Sequence, residues 1–151
     1  MAWLPEDFVH PTRVELATGH HIRPITGDDI EIDYPAVMGS QARLWAMFGA
    51  AWGWPPTTMT KEADRVDLVR HAVEAEAHES FNYCILDAEE TELLGCIYID
   101  PPEQEGRDAE ICWWVVDRMV GSELEALLDT FVPAWLAADW PFTNPRIALP
   151  N

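Results

Sequence analysis

The chain has 151 residues, enough for a domain with a hydrophobic core, and the 48% that are hydrophobic exclude a disordered polymer. Its formal net charge of −18 argues against nucleic acid or an anionic membrane as a partner. This charge favours cationic small molecules or basic peptides as ligands, although an adaptation for solubility explains it equally well.

The first quarter of the sequence predicts a hairpin followed by a helix. Residues 12–25 alternate as two strands joined at Thr18 and Gly19. The segment "TGDD" offers capping residues, Pro35 fits the first turn of the helix, and Gly49 is expected to end it. The side chains expected on the buried face of this helix are Val37, Gln41, Leu44, Trp45 and Phe48.

A loop rich in tryptophan and proline, "AAWGWPPTTMT", separates this helix from a second one. The second helix is predicted to run from Lys61 to Glu79, with Thr60 as its N-terminal cap. Its inward side chains are expected to be Val66, Val69 and Val73.

Three strands in quick succession are predicted between residues 81 and 117, and their short connections imply an antiparallel meander. A helix interrupted by Pro133 follows, and "RIAL" predicts one more strand. The order of elements indicates a single mixed α/β domain over residues 1–151, with a central, largely antiparallel sheet flanked by helices. Exposed strand edges tend to be paired, so we expect a homodimer that uses the region from Arg146 to Leu149.

The cysteines and histidines carry little chemistry in the predicted fold. Three cysteines are an odd number at strand positions, which argues against a disulfide framework and favours the cytoplasm. They are expected to be buried apolar side chains on neighbouring strands: Cys84, Cys96 and Cys112. The sequence holds no His-Glu-x-x-His or Cys-x-x-Cys pattern, and no metal site is predicted.

This order of elements resembles the GNAT superfamily of acyl-CoA N-acyltransferases. The opening "RVELATGHHIRPITGDDIE" is similar to the first hairpin and helix entry of its ribosomal-protein acetyltransferase branch. The strands "LLGCIYID" and "AEICWWVVD" are similar to the third and fourth strands of that branch. The resemblance covers most of the chain, but the family fold continues into elements that follow its fifth strand and are missing here.

In that family, backbone N–H groups at the turn after the fourth strand hold the pyrophosphate of coenzyme A at a helix N-terminus. The turn has the form Gln/Arg-x-x-Gly-x-Gly/Ala. Here either Arg118 to Glu123 matches it with Glu at the last position, or Gly121-Ser122 matches its end and about four residues are absent. Ser122 and Glu125 also predict a capping box, which would use the same N–H groups. The residues that the resemblance assigns to acetyl-CoA, with weak or absent binding, are Val115, Val116, Arg118, Gly121 and Ser122.

The resemblance also implies a general base and an acceptor site. Glu110 lies where the family often has an active-site glutamate, which can accept the proton of an amine nucleophile. Trp52, Trp54 and Tyr98 are assigned to the side of the small-molecule or peptide amine, where aromatic faces can hold an ammonium. Packing of the loop tryptophans onto the core is the competing interpretation.

Two functions therefore remain open. The first is a GNAT-type acetyltransferase that acts on an amine, with Glu110 as the base. The second is a catalytically inactive binding or assembly protein that keeps the scaffold without tight coenzyme A binding.

Overall fold

A six-stranded sheet organises the protein, and the computed structural model describes it over residues 2–151. Two single turns of 3-10 helix, Gly27–Asp29 and Asp117–Met119, precede the first and last helices. The other elements are β1 (Val14–Glu15), β2 (His21–Pro24), α1 (Ile30–Gly39), α2 (Gln41–Trp52), α3 (Lys61–Glu76), β3 (Phe81–Leu86), β4 (Leu93–Asp100), β5 (Ala109–Val115), α4 (Glu123–Asp139) and β6 (Pro145–Ile147). This is the mixed α/β architecture that the sequence predicts.

The strands lie in the sheet in chain order. Every neighbouring pair is antiparallel except β5 and β6, which are parallel, so the predicted hairpin and the predicted meander are both confirmed. β6 pairs with Ala109–Ile111, and no strand among the described residues borders the outer edge of β5 beyond Ile111. Pairing of two copies through β6 stays a prediction.

Helices cover both faces of the sheet. Alternate side chains of a strand point to opposite faces, so each strand contributes side chains to both halves of the core. Tyr83 of β3 packs edge-on against Trp135 of α4, with 5.1 Å between ring centroids. Tyr98 of β4 lies opposite Asn82 and therefore points to the other face, where it packs against Phe48 of α2 at 6.0 Å. The two halves of the core are thus separated by the sheet, and α1, α2 and α3 lie together on the Tyr98 side.

The single helix predicted after the hairpin is two helices, α1 and α2, which meet at Ser40. Pro35 lies inside α1 and not in its first turn, so that prediction was wrong. Gly49 does not end α2, which continues to Trp52 and stops at Gly53 with a left-handed φ of 62°. Trp45 is 44% exposed, contrary to expectation, and its ring lies over Gly49, where a side chain would collide with it.

The buried face of α3 is partly polar. Thr60 caps the helix as predicted, with its hydroxyl accepting from the Ala63 N–H at 3.1 Å, but the helix ends at Glu76 and not at Glu79. The inward residues are Asp64, Leu68 and Ala75. The three valines expected inward are exposed, so that prediction was wrong: Val66, Val69 and Val73.

The predicted helix around Pro133 is α4, which continues through the proline to Asp139. Its buried face carries leucine, valine and tryptophan side chains. Within the described part of the chain, no helix has both the length and the apolar character needed to cross a membrane.

Candidate functional site

A cavity of about 710 Å³ lies between α3 and the Tyr98 face of the sheet. One part of its lining is acidic, with the carboxyl groups of Asp33, Asp64, Asp67, Glu74 and Asp100. Another part is aromatic, with the side chains of Trp52, Trp54, Tyr98 and Trp114. The cavity therefore offers negative charge and π faces together, which suits a cationic ligand.

The aromatic wall contains all three residues that the sequence assigns to the acceptor. Trp52 is the last residue of α2 and not part of the loop, and its ring packs edge-on against Tyr98 at 5.2 Å between centroids. Trp54 packs against Tyr98 at 6.5 Å and against Trp114 at 6.3 Å. The tryptophans thus pack onto the core and line the cavity at once, so the two interpretations of the loop are compatible.

Tyr98 combines burial with a partly used hydroxyl group. The Trp114 indole N–H donates to the Tyr98 hydroxyl oxygen at 2.9 Å, which leaves the phenolic proton available to a ligand. Burial raises the pKa of Tyr98 well above its usual value. The side chain is therefore a proton donor at neutral pH.

Asp100, at the end of β4, is a site residue that the sequence analysis missed. Its carboxylate accepts a hydrogen bond from the Ser80 hydroxyl and lines the cavity. Burial, opposed in part by the Ser80 hydrogen bond, raises the pKa of Asp100 to about 6, and negative charge on Glu74 adds to the rise. A carboxylate with this pKa is largely ionised at neutral pH and can still accept a proton. The only signal in the sequence was an aspartate at a strand end, which is common in turns.

Asp33 of α1 and Asp64 of α3 form a buried carboxyl pair on the cavity wall. Burial and the hydrogen bond that its carboxyl group donates to Asp64 raise the pKa of Asp33 well above its usual range. Burial also raises the pKa of Asp64. The two groups therefore share a proton, because two adjacent buried carboxylates cannot both ionise freely.

The cavity carries little positive charge of its own. Burial, with a smaller contribution from the Arg70 guanidinium, lowers the pKa of His71 to about 4, so its imidazole is neutral. The Arg70 guanidinium is bound to Asp67 and Glu74 at 3.3 and 3.4 Å. The cavity thus remains net negative.

Glu110, the base predicted from the resemblance, lies on β5 directly opposite Asp100 of β4. The Arg146 guanidinium of β6 donates to its Oε1 at 2.8 Å. The other carboxylate oxygen is buried and accepts no hydrogen bond from the described residues. Glu110 therefore neighbours the cavity residue Asp100 but is held by Arg146 at the β5–β6 edge.

The turn after β5 holds the residues assigned to acetyl-CoA, and its backbone N–H groups are largely bonded within the chain. The Asp117 N–H donates to Ser40 Oγ at 2.9 Å, and the Gly121 N–H donates to Glu125 Oε1 at 2.9 Å. Ser122 caps α4 as predicted, since its Oγ accepts from the Glu125 N–H at 3.3 Å. The reciprocal half of the predicted capping box is wrong, because Glu125 accepts from Gly121 and not from Ser122.

Two arginines lie at the same turn. The Arg43 guanidinium of α2 donates to the Val115 carbonyl and binds the Asp117 carboxylate at 2.7 Å. Arg118 binds Glu92 at 2.7 Å. Val116 donates its N–H to the Leu94 carbonyl of β4 at 2.9 Å. Both guanidinium groups at the turn are therefore already paired with carboxylates, and few of its N–H groups are unused.

The cysteines are free and buried, as expected. Cys84 lies opposite Cys96, and burial raises the pKa of both thiols far above the usual range. Within residues 2–151, no group of three or more histidine, cysteine, aspartate or glutamate side chains is placed to hold a metal ion.

Comparison with known proteins identifies solved structures that share this fold. No family model matches the sequence, and no curated protein matches it. A ribosomal-protein-S5-alanine acetyltransferase from Vibrio fischeri superposes with a TM-score of 0.61 at 13% identity, over 85% of this chain and 69% of that one. A ribosomal L7/L12 alpha-N-protein acetyltransferase in complex with coenzyme A gives 0.67 at 16% identity, over 84% and 70%.

A spermidine N-acetyltransferase from Vibrio cholerae, in complex with coenzyme A and spermine, gives a TM-score of 0.54 at 9% identity, over 78% of this chain and 63% of that one. These identities are low, whereas the superpositions extend over most of the chain. The protein has the fold of the GNAT acetyltransferases.

Proposed function

We propose that the protein is a GNAT-type N-acetyltransferase that transfers an acetyl group from acetyl-CoA to a protonated amine. The observation that carries the proposal is the acidic and aromatic cavity, which contains Trp52, Trp54 and Tyr98 on one face of a GNAT sheet. The neighbours described above are acetyltransferases of ribosomal proteins or of spermidine, and two of them are complexes with coenzyme A. Both support a reaction in which an amine is the acceptor.

The cavity suits an amine in its charged form. An ammonium group placed against the tryptophan faces gains cation–π attraction, about 0.5–2 kcal/mol depending on its desolvation. The carboxylates of the cavity add Coulomb attraction. A basic peptide terminus and a small amine share this recognition chemistry, so either fits the proposal.

The ammonium must lose a proton before its nitrogen can attack, and we assign this proton to Asp100. Its carboxylate lines the cavity, and its pKa of about 6 is close to the pH at which a base works efficiently. Tyr98 keeps its proton and is placed to donate one to a leaving group. Glu110, which the resemblance favours, is the competing base.

Bound acetyl-CoA supplies an activated thioester carbonyl. We assign the amide-containing arm of the molecule to the outer edge of β5 at Val115 and Val116, beyond the residues that pair with β6, with Arg118, Gly121 and Ser122 facing its pyrophosphate. Binding of the arm there requires the Arg43 guanidinium to release the Val115 carbonyl. At the pyrophosphate end, the Gly121 N–H is already taken by Glu125. Binding there requires this contact to break, so we expect a dissociation constant of about 1 mM, or about −4 kcal/mol.

Acetyl transfer from millimolar acetyl-CoA to a panel of primary amines and basic peptides tests the proposed function. Release of free thiol, followed by mass detection of the acetylated amine, should show turnover with cationic acceptors and none with neutral amides. The absence of transfer to every amine in the panel, with acetyl-CoA at several millimolar, would leave the non-catalytic binding protein as the better account.

The hydrogen bond from the Gly121 N–H to Glu125 predicts that replacing Glu125 by alanine strengthens the binding of acetyl-CoA. The variant frees the Gly121 N–H and removes one negative charge from the N-terminus of α4, worth about 1 kcal/mol toward an anion. Acetyl-CoA should then bind about fivefold more tightly. The measurement is calorimetry at low salt. Asp129→Ala, one turn further along α4, removes the same charge without touching Gly121 and should leave the affinity nearly unchanged.

Loss of Glu125 should cost little stability, because the hydrogen bond that Ser122 makes as the N-terminal cap is retained in the variant. An affinity equal to that of the unmodified protein would contradict the assignment of this turn to the pyrophosphate.

A further inference from the structure

Two residues that line the cavity carry buried oxygen atoms without a hydrogen-bond donor among the described residues. Asp64 is 2% exposed, and its Oδ2 atom has no partner among the described residues. Asn82 of β3 is 5% exposed, and its Oδ1 atom is also without a partner. Both side chains line the cavity. A buried acceptor without a donor is destabilising, so these two side chains are held here at a cost in folding stability.

The charge of this region is also uncompensated. Asp33 and Asp64 are hydrogen-bonded to each other, and no lysine, arginine or histidine of the described chain forms an ion pair with either one. Their surroundings are acidic as well, since Asp29 and Asp67 act on Asp33 through space. A group that brings both N–H donors and positive charge would satisfy the pair, and an ammonium has both.

The second acidic position of the cavity is Asp100, at the far end of β4. Asp33 and Asp64 lie close enough to Cys96 for their negative charge to raise the pKa of its thiol. Cys96 and Asp100 are four residues apart on one strand, which corresponds to roughly 13 Å. The aromatic side chains of Tyr98 and Trp114 line the same cavity. The cavity is thus acidic at both ends and aromatic as well.

We propose that Asp33, Asp64 and Asn82 form an ammonium subsite, and that the acceptor is a linear diamine or polyamine that reaches from this subsite to Asp100. The distal ammonium donates to the Asp64 carboxylate and to Asn82 Oδ1, while the other amine lies beside Asp100 for reaction. A metal ion does not fit, because no set of three or more suitable ligands is present in residues 2–151. This inference rests on the proposed function.

Binding without acetyl-CoA tests the subsite independently of catalysis. Calorimetry compares α,ω-diamines of four to ten carbons with monoamines of equal length, so that only the distal ammonium differs. We expect the preferred diamine to bind at least tenfold more tightly than its monoamine, with an optimum of chain length. Equal affinities of diamines and monoamines in the unmodified protein would overturn the subsite, and this comparison needs no variant.

Asp64→Asn keeps the size of the side chain and removes the carboxylate that the distal ammonium contacts. We expect it to lose most of the tenfold preference, while Asp129→Asn, with the same net charge but on the opposite side of the sheet, retains it. The double variant Asp33→Asn with Asp64→Asn leaves neither carboxyl group of the pair, with the same expected loss. Retention of the preference in both pair variants would also overturn the subsite.

The two proposals fail in different ways. Acetylation of monoamines without any preference for diamines would refute the subsite and leave the acetyltransferase standing. Tight diamine binding with no acetyl transfer to any amine would support the subsite and refute the acetyltransferase.

Discussion

Asp100→Asn is expected to lower turnover by roughly a hundredfold or more on a substrate amine, which is the usual scale for a lost general base. The amide has nearly the same shape as the carboxylate and can still accept the hydrogen bond of the Ser80 hydroxyl. The fold should therefore survive. Acceptor binding should weaken less than turnover, because the other acidic residues of the cavity remain. Steady-state kinetics that separate kcat from KM measure the difference.

The pH dependence of turnover by the unmodified protein gives an independent readout. The pKa of Asp100 is raised to about 6, and the base acts only when it is ionised. The ratio kcat/KM should therefore rise with pH through about 6, and this rise should be absent in Asp100→Asn. A profile that keeps the same rise in the variant would exclude Asp100 as its origin.

Glu110→Gln is the matched comparison, since the sequence-based prediction assigns the hundredfold loss to this residue. Glu110 lies opposite Asp100 but is bound by Arg146, which holds its carboxylate at the sheet edge. If Glu110→Gln loses turnover and Asp100→Asn does not, Glu110 is the base and the present assignment is wrong. Circular dichroism on both variants checks that folding is intact.

Gly95→Ala should destabilise the protein by about 3 kcal/mol or more, at the upper end of what overpacking a core costs. Gly95 lies in β4 opposite Val115, and a Cβ atom there would lie 2.1 Å from the carbonyl oxygen of Trp114. The obstacle is the backbone of a central strand, which cannot move without breaking the pairing of β4 with β5. The melting temperature should fall by about 10 °C.

Gly39→Ala is the control for this substitution. Gly39 is the last residue of α1, and a Cβ atom there has no neighbour within 4 Å. Alanine at this position should leave the stability unchanged or raise it by up to about 1 kcal/mol. A melting temperature of Gly95→Ala equal to that of the unmodified protein would contradict the close approach of the two strands.

The sheet could be predicted from the sequence because its signals are local. Strand-length apolar runs and short turns specify β3, β4 and β5, and Thr60 and Ser122 mark two helix starts by their own side chains. The cysteines follow from the same pattern. These features depend on residues within a few positions of one another.

The orientation of α3 could not be predicted in this way. The rule that apolar side chains point inward assumes that a helix packs on an apolar core. Here the inward face of α3 meets a polar cavity, so Asp64 is buried and Val66 on the opposite side is exposed. The sequence of α3 alone does not indicate the cavity, because residues of β3 and β4 form another part of its lining.

The candidate site was only partly predicted for the same reason. Trp52, Trp54 and Tyr98 were placed together by the resemblance, and the acidic start of α4 correctly indicated a turn that bonds its own N–H groups. Ser40 and Arg43 were not foreseen at that turn, since they come from a helix more than 70 residues away in the chain.

The inner face of α3, which buries a carboxyl group and few apolar side chains, links the local folding of this helix to ligand binding in the cavity. α4 buries Leu124, Leu128, Val132, Trp135 and Leu136, whereas Leu68 is the only large apolar side chain that α3 buries. Elements with few buried apolar contacts open at lower free energy than the rest of a protein. A ligand that binds to Asp64 only when α3 is folded stabilises the folded helix by mass action. Ligand binding in the cavity and local unfolding of α3 are therefore coupled. The empty protein would then fluctuate mainly at α3, and a ligand that enters the cavity would order the helix that helps to enclose it.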